Sequence, residues 1–305
     1  MIVLPPISLL FSDILSSSVP DPDTGEPAIW NPATAYLSGN LVRRDQTKKI
    51  YESLALTSTV NSVAPEVVVT DSSPVKLWKE VGFLNRYKMF DYTTNQATSA
   101  TNTLTVTFQK ADRLDTIALS GMVNVANIKI EQIKDSTTYV LYDVANSFVQ
   151  DSTTQYYSTR VFSGIPPLYL PEVRITLTAP GGTGALSVKY LMAGLIEQLG
   201  RLQNNVQVDA TNYSKVDRDS FGNSNLVRRR SVPKITGTVL LEPSQVNRAT
   251  LLRNSLNAKP ALWTGVDNID DIYYNSLVVV GFYKTFSFML DNPVAVEAEI
   301  EIEEL

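Results

Sequence analysis

The chain has 305 residues, with 26 lysines and arginines against 31 aspartates and glutamates, and it contains neither histidine nor cysteine. These absences exclude a Ser-His-Asp triad, a cysteine nucleophile, a disulfide and a zinc site with nitrogen or sulfur ligands. Catalysis by carboxylates or by lysine, and binding of a cation through oxygen ligands, are compatible with this composition. Since no motif points to any of them, we predict a non-enzymatic protein of two or three domains, without catalytic residues, cofactor or metal.

The charge is unevenly distributed along the chain. The first 42 residues hold four acidic residues and no lysine or arginine, and five of the last nine residues are glutamate. The segment between them is therefore weakly positive. A general nucleic-acid binder is expected to carry a strong basic stripe, so we predict no specific nucleic-acid partner.

Residues 1–27 are predicted to form an N-terminal arm and a linker. The arm is apolar at 2–4 and 9–11, but it has no positively charged start, and Pro5, Pro6 and Asp13 interrupt it. We therefore expect neither a signal peptide nor a membrane span. The linker, 17–27, is dense in Ser, Pro, Asp and Gly. The apolar arm must be covered either by the protein's own core or by a neighbouring subunit, and both alternatives stay open.

Residues 28–85 are predicted to form a small module with an aromatic core. A unit of this size lies near the lower limit for folding without a disulfide or a metal, so its few aromatic side chains must be largely buried. The predicted core consists of Trp30, Tyr36, Tyr51 and Trp78.

The module resembles the carbohydrate-binding modules of families 5 and 12, which have the chitin-binding-like fold. The resemblance lies in IWNPATAYLSGNLV (29–42), IYES (50–53), AP (64–65) and LWKEVG (77–82). In that family, sugars stack on exposed aromatic side chains shortly after the central tyrosine. The matching stretch here, ESLALTS (52–58), has no aromatic residue. We therefore expect a structural adaptor.

Residues 86–197 show the period of strands with one buried face. Leu104, Val106 and Phe108 alternate with threonines, and the pattern returns at 173–178 and 186–190. Shorter runs at 114–120, 123–131 and 138–144 complete a predicted β-sandwich of the jelly-roll type. The glycine-rich segment 179–184, between two of these runs, is predicted to be a hairpin turn.

The sandwich resembles galactose-binding-like jelly rolls in its strand pattern and in PEVRITL (171–177). That resemblance implies ligand-binding loops at one end and a calcium ion held by acids such as Asp112, Asp115 or Asp135. The interpretation that we favour is that these acids are solvated turn residues.

Residues 198–305 are predicted to be β-rich, with one short helix. Glu242, Pro243 and Ser244 mark its start, and Pro260 closes the segment. Strands are predicted at 235–241, 277–283, 285–290 and 294–304, and the polar segment 212–231 is predicted to be a long loop or a hairpin arm. The helix should bury one face, which consists of Val246, Ala249, Leu252 and Leu256.

Two charged clusters are candidate functional sites in this last domain. The basic cluster has few aromatic neighbours for stacking on bases, so subunit contacts are favoured over nucleic acid. The acidic residues alternate along the final strand and share one face. They either protect an edge strand from aggregation or line a negatively charged lumen that DNA can pass without sticking. The basic cluster consists of Lys215, Arg218, Arg228, Arg229 and Arg230, and the acidic one of Glu297, Glu299, Glu301 and Glu303.

The whole combination resembles tail-tip or baseplate proteins of tailed bacteriophages, with residues 198–305 resembling a tube-type domain. The resemblance implies a symmetric ring formed through that domain, with copies of the chain and other tail proteins as partners. It also implies synthesis in the host cytoplasm, a place in the virion tail, and an N-terminal arm that docks on an adjoining tail protein. The alternatives are a receptor-recognition protein of the virion that binds a surface glycan, and a secreted polysaccharide-active enzyme.

Overall fold

The computed structural model describes residues 1–55, 59–60, 63–66, 77–218, 220–290 and 294–305, and the predicted mainly β fold is confirmed. The leader and the module contain β1 (Ile2–Leu4), β2 (Ile14–Ser17), β3 (Ala35–Tyr36), β4 (Leu41–Arg44), β5 (Lys49–Ser53), β6 (Thr59–Val60) and β7 (Trp78–Phe83). The middle of the chain contains β8 (Thr98–Thr101), β9 (Thr103–Gln109), β10 (Thr116–Ser120), β11 (Asn127–Lys134), β12 (Thr137–Ala145), β13 (Ser147–Gln150), β14 (Thr153–Tyr156), β15 (Thr159–Ser163), β16 (Glu172–Thr178), β17 (Ala185–Val188) and β18 (Tyr190–Gly194).

The remaining elements follow residue 196. The strands are β19 (Glu197–Gln198), β20 (Arg201–Leu202), β21 (Gln207–Asn212), β22 (Lys215–Arg218), β23 (Ser224–Val227), β24 (Ser231–Leu241), β25 (Ala261–Thr264), β26 (Val278–Met289) and β27 (Val296–Glu304). The helices are α1 (Val246–Ser255) and α2 (Tyr274–Leu277), and short 3₁₀ helices lie at Phe11–Asp13, Asn85–Phe90, Pro180–Gly182 and Pro243–Gln245.

The first apolar run of the leader, residues 2–4, is covered by its own chain, whereas Leu10 and Phe11 of the second run are exposed. Strand β1 pairs with β25 and β19 near the C-terminal end, whereas β2 pairs with β9. Val3 and Leu4 are 0% and 1% exposed, and Ile14 is buried as well. Of the two alternatives for covering the leader, its own core is therefore the correct one for these residues. Docking of the leader on an adjoining protein stays a prediction, and it would involve the exposed Leu10, Phe11 and Leu15 and not the buried residues.

The linker after the leader is held by hydrogen bonds to the module and to the start of the sandwich. The Asp21 carboxylate accepts hydrogen bonds from Lys48 Nζ and Tyr87 Oη, each at 2.6 Å. Glu26 Oε1 accepts one from the backbone N–H of Asn85, also at 2.6 Å. Burial disfavours the charged form of Asp21, but the bonds from Lys48 and Tyr87 outweigh it, so the pKa of Asp21 is lowered.

We expect Asp21→Asn to lower the free energy of unfolding near pH 7 by about 1–2 kcal/mol, because charge-assisted hydrogen bonds are lost. A carboxyl group whose pKa is lower in the folded state stabilises the protein above its unfolded pKa, and this contribution disappears as the pH falls through the folded pKa. Urea unfolding of variant and wild type near pH 7 and near pH 3 should therefore show a difference that shrinks at acid pH. The control is Asp151→Asn in an exposed turn, and a difference that is equal at both pH values would contradict the prediction.

The predicted β-sandwich is confirmed. It consists of a five-stranded sheet, β12-β11-β16-β9-β2, and a three-stranded sheet, β15-β10-β18. The alternating apolar residues of β9 and β16 are at most 2% exposed, as expected for strands with one face on a core. One core cluster contains side chains of both sheets, among them Phe108, Ile117, Ile130, Ile175 and Leu191.

The glycine-rich segment 179–184 does not form a hairpin turn. Strand β16 before it pairs with β9 and β11, whereas β17 after it pairs with β8 in another sheet. Gly181 and Gly182 have φ values of 61° and 72°, which glycine adopts without strain. The glycines therefore mark a turn, but the turn carries the chain from one sheet to another.

The C-terminal region forms an eight-stranded antiparallel sheet in the order β19-β1-β25-β26-β27-β24-β20, with β21 also paired to β24. The predicted buried face of α1 is confirmed, since Ala249 and Leu256 are 3% and 2% exposed and Val246 and Leu252 pack against the same core. The two strands predicted at 277–283 and 285–290 are a single strand, β26. Its pairing with β27 shifts register between Tyr283 and Thr285, and the chain continues through the irregularity.

The sandwich and the C-terminal sheet share a core. Leu4 of the leader lies in one cluster with Ala118 and Met192 of the sandwich and with Leu262 and Val280 of the C-terminal sheet. All five side chains are at most 2% exposed. The sandwich and the C-terminal sheet are thus joined by buried apolar contacts as well as by the chain between them.

Candidate assembly surface

A β-hairpin extends from the C-terminal sheet over residues 207–231, which we call the arm. Strand β21 pairs with the first half of β24, and β22 pairs with β23 farther along the same hairpin. Every residue of β21, β22 and β23 is exposed. Strands β22 and β23 form a separate two-stranded sheet with both faces exposed, and such a hairpin is marginally stable by itself.

The arm carries apolar side chains in its exposed strands. Val216 and Leu226 lie directly opposite each other and are 52% and 66% exposed. Val208 and Tyr213 nearer the base are 48% and 52% exposed. Contiguous apolar surface of this kind is typical of interaction sites. Periodicity did not reveal Val216 and Leu226, since four-residue strands are too short to show a period; the Gly222 turn between them was the available signal.

The structure divides the predicted basic cluster into paired and unpaired cations. Arg230 forms an ion pair with Glu304 at 3.0 Å and also donates to the main-chain oxygen of Leu305. Lys215 pairs with Asp217 at 2.6 Å. Arg218, Arg228 and Arg229 are exposed, and none of them forms a salt bridge within the part of the chain that the structure describes. Arg218 lies near the tip of the arm, and Arg228 and Arg229 lie just before β24.

The acidic residues of β27 lie on a central strand. Strand β27 pairs with β24 on one side and with β26 on the other, so the interpretation of an edge strand protected by charge is wrong. The predicted segregation of the strand is present: Val296, Ala298, Ile300 and Ile302 are buried, and the glutamates between them face outward.

Lysines on the two neighbouring strands neutralise part of the negative charge on this face of β27. Lys234 of β24 pairs with Glu301 at 2.7 Å, and Lys284 of β26 pairs with Glu303. The hydrogen bond from Lys284 to Glu303 raises the pKa of Lys284. Glu297 and Glu299 are exposed and form no salt bridge with any residue in the described ranges. The negative charge is therefore concentrated at the start of β27.

A groove lies beside the base of the arm, with a volume of about 630 Å³. Leu202, Val206 and Val208 line one side, and Tyr273 and Leu277 at α2 line the other. Tyr273 is 60% exposed. Val208 of β21 lines the groove, so the groove adjoins the base of the arm, and it combines these apolar side chains with the polar Gln203, Asn204 and Ser276.

The four aromatic residues predicted as the module core lie together. Tyr36, Tyr51 and Trp78 are buried in one cluster, and Trp30 is half-buried against it. The Arg44 guanidinium lies over the Trp30 ring at 4.7 Å, so that ring face is occupied by a cation. Residues 56–58 of the stretch that matches the family's sugar platform lie outside the described residues.

The three acids considered for calcium do not come together. Asp115 accepts hydrogen bonds from Thr116 and Ile196, and Asp135 lies in the β11–β12 turn beside Lys134. Asp112 lies at the rim of a cavity at one end of the sandwich. No group of three or more acidic residues with the geometry of a metal site occurs among the residues described.

Comparison of the chain with family models, curated proteins and solved structures finds no match. The described part of the chain also contains no helix long and apolar enough to cross a lipid bilayer. The site is therefore interpreted from its own residues.

Proposed function

We propose that the chain is a structural subunit that assembles with copies of itself, and that the assembly is a ring in the tail tip or baseplate of a tailed bacteriophage. The observation that carries the first part is the arm, 207–231. It exposes Val216 and Leu226, together with arginines that form no salt bridge with the residues the structure describes, on strands that are exposed throughout. Contact with a second copy would remove that apolar surface from water and would stabilise a hairpin that is marginally stable by itself.

In the proposed assembly the arm of one copy contacts a different surface of the next copy, which makes the contact heterologous. Repeated contacts of this kind close into a ring when the rotation between copies allows it. Arg218, Arg228 and Arg229 favour an acidic or carbonyl-rich receiving surface. In such a ring the open carboxylates Glu297 and Glu299 would suit a wall facing DNA, since they repel phosphate.

The placement in a phage tail rests on the combination of parts. A small aromatic module without an aromatic sugar platform in its sequence, a β-sandwich and a β-rich domain with a projecting arm occur in one chain without histidine or cysteine. The absence of both residue types removes the commonest nucleophiles and bases, which favours a function through interfaces.

Photo-cross-linking tests the assembly. We expect full-length protein with p-benzoylphenylalanine in place of Leu226 to cross-link to a second copy at micromolar concentration, and native mass spectrometry to show one closed stoichiometry. The matched control carries the same group in place of Val140, which is 54% exposed on β12 of the sandwich, and should stay uncross-linked. A chain that is monomeric at every concentration and forms no product through position 226 would contradict the proposed ring.

Labelling of particles tests the location separately. An antibody against the full-length chain is expected to mark the tail of virions from cells that make the protein, at or near its end. Label on the head, or none on any particle, would contradict the tail assignment while leaving self-assembly intact.

A further inference from the structure

A second site lies at one end of the sandwich, far in sequence from the arm. A cavity of about 280 Å³ is enclosed by residues 110–114, by Gln132 and by the loop 166–171. Its volume is just below that of pockets for drug-sized ligands. The cavity therefore suits a small ligand or one terminal unit of a larger one.

The loop that closes the cavity is fixed by the sandwich beneath it. Gln109 Nε2 donates to the Leu170 carbonyl at 3.0 Å, and Gln132 Nε2 donates to the Pro166 carbonyl at 3.1 Å. The backbone N–H of Ile165 donates to the Asp115 carbonyl at 2.9 Å. Prolines 166, 167 and 171 restrict the backbone further. The cavity is thus formed before any ligand arrives, which lowers the entropic cost of binding.

Gln132 has an unused acceptor at this site. The residue is 1% exposed, and its Nε2 is occupied by Pro166. Its Oε1 is buried and accepts no hydrogen bond from the described residues. Buried polar atoms are normally hydrogen-bonded, so Oε1 calls for a donor, and the residue itself lines the cavity.

An exposed aromatic residue lines the same cavity. Tyr169 is 80% exposed on the closing loop, and Lys134 Nζ is 5.8 Å from its ring centroid. A single cation can lie over only one face of the ring, so the other face stays open. Arg113 at the rim is exposed and forms no salt bridge with the residues that the structure describes.

We infer that this cavity binds one terminal sugar unit of a glycan. A pyranose offers an apolar ring face for Tyr169 and hydroxyl donors for Gln132 Oε1, and both are needed at once. Arg113 favours a sugar that bears a carboxylate. The site is separate from the module at 28–85 and from the arm, so the inference holds or fails independently of ring assembly.

An array of neutral, N-acetylated and acidic glycans, followed by calorimetry with the best ligand, tests the inference on the full-length protein. We expect binding, strongest to acidic glycans, that weakens roughly ten-fold or more in Tyr169→Ala and stays within about two-fold of wild type in Tyr169→Phe, which keeps the ring. Val149→Ala, which truncates another highly exposed apolar side chain away from the cavity, is the control and should bind like wild type. Absence of binding to every glycan class, or equal binding by wild type and Tyr169→Ala, would overturn the inference.

Discussion

Leu4→Ala is expected to lower the free energy of unfolding of the whole chain by about 2–5 kcal/mol, the range for truncating a buried leucine in a packed core. Leu4 is 1% exposed and lies where the core of the sandwich meets that of the C-terminal sheet. The cavity left by the truncation would therefore loosen both parts. We expect them to unfold in one transition whose midpoint shifts to lower urea concentration.

The same leader supplies the control for this variant. Leu10 is 58% exposed, and Leu10→Ala should change the free energy of unfolding by less than about 0.5 kcal/mol. Circular dichroism reports on all strands. Tryptophan fluorescence reports on the C-terminal sheet through Trp263 and on the module through Trp30 and Trp78, whereas residues 86–197 contain no tryptophan. Equal losses in the two variants, or two separate transitions of which Leu4→Ala moves only one, would show that the leader does not join the two parts.

Local periodicity predicted the strands and the helix well, because burial of one face acts on residues close together in sequence. The apolar residues at 104–108 and 173–177 are buried as their alternation indicates, and so are those of β27. The helix face of α1 follows from the same reasoning at a period of 3.6 residues.

Pairing between distant segments could not be predicted in this way. The alternation of apolar residues and glutamates in β27 is compatible with an edge strand and with a central strand. Only the pairing of β27 with both β24 and β26 shows that it is central. The glycines of 179–184 likewise allow a hairpin or a crossing between sheets. The leader's partners, β25 and β9, lie far along the chain, so its apolar residues showed that cover was needed but not which surface supplies it.

The two candidate sites differ in how much the sequence reveals. The cations of the arm are visible as a cluster, whereas the pairing of Arg230 with Glu304 depends on a contact across 74 positions. At the sandwich cavity, Tyr169 and Gln132 are 37 positions apart and carry no shared motif. The fold brings them to the same cavity, where Gln132 Nε2 donates a hydrogen bond to the carbonyl of Pro166 in the loop that carries Tyr169. Gln132 Oε1 then has no donor among the described residues.

The double variant Val216→Glu/Leu226→Glu is expected to abolish self-assembly and to leave the isolated chain folded. The two side chains are directly opposite each other on the arm and more than half exposed, so their replacement removes little that the folded monomer buries. In an interface the same positions would place two carboxylates against apolar surface, which costs several times more than truncation. Mass photometry should show the oligomer lost at concentrations where wild type assembles.

The control is a pair of valines outside the arm, Val140 of β12 and Val149 of β13, which are at least as exposed as Val216. Val140 and Val149 are 54% and 75% exposed, and Val140→Glu/Val149→Glu adds the same charge elsewhere on the molecule. If general repulsion between more acidic chains prevented assembly, both double variants would fail alike. Loss of the oligomer in the arm variant alone, at an unchanged urea midpoint, is the result that ties assembly to the arm, and an oligomer that persists in it would remove the arm from the interface.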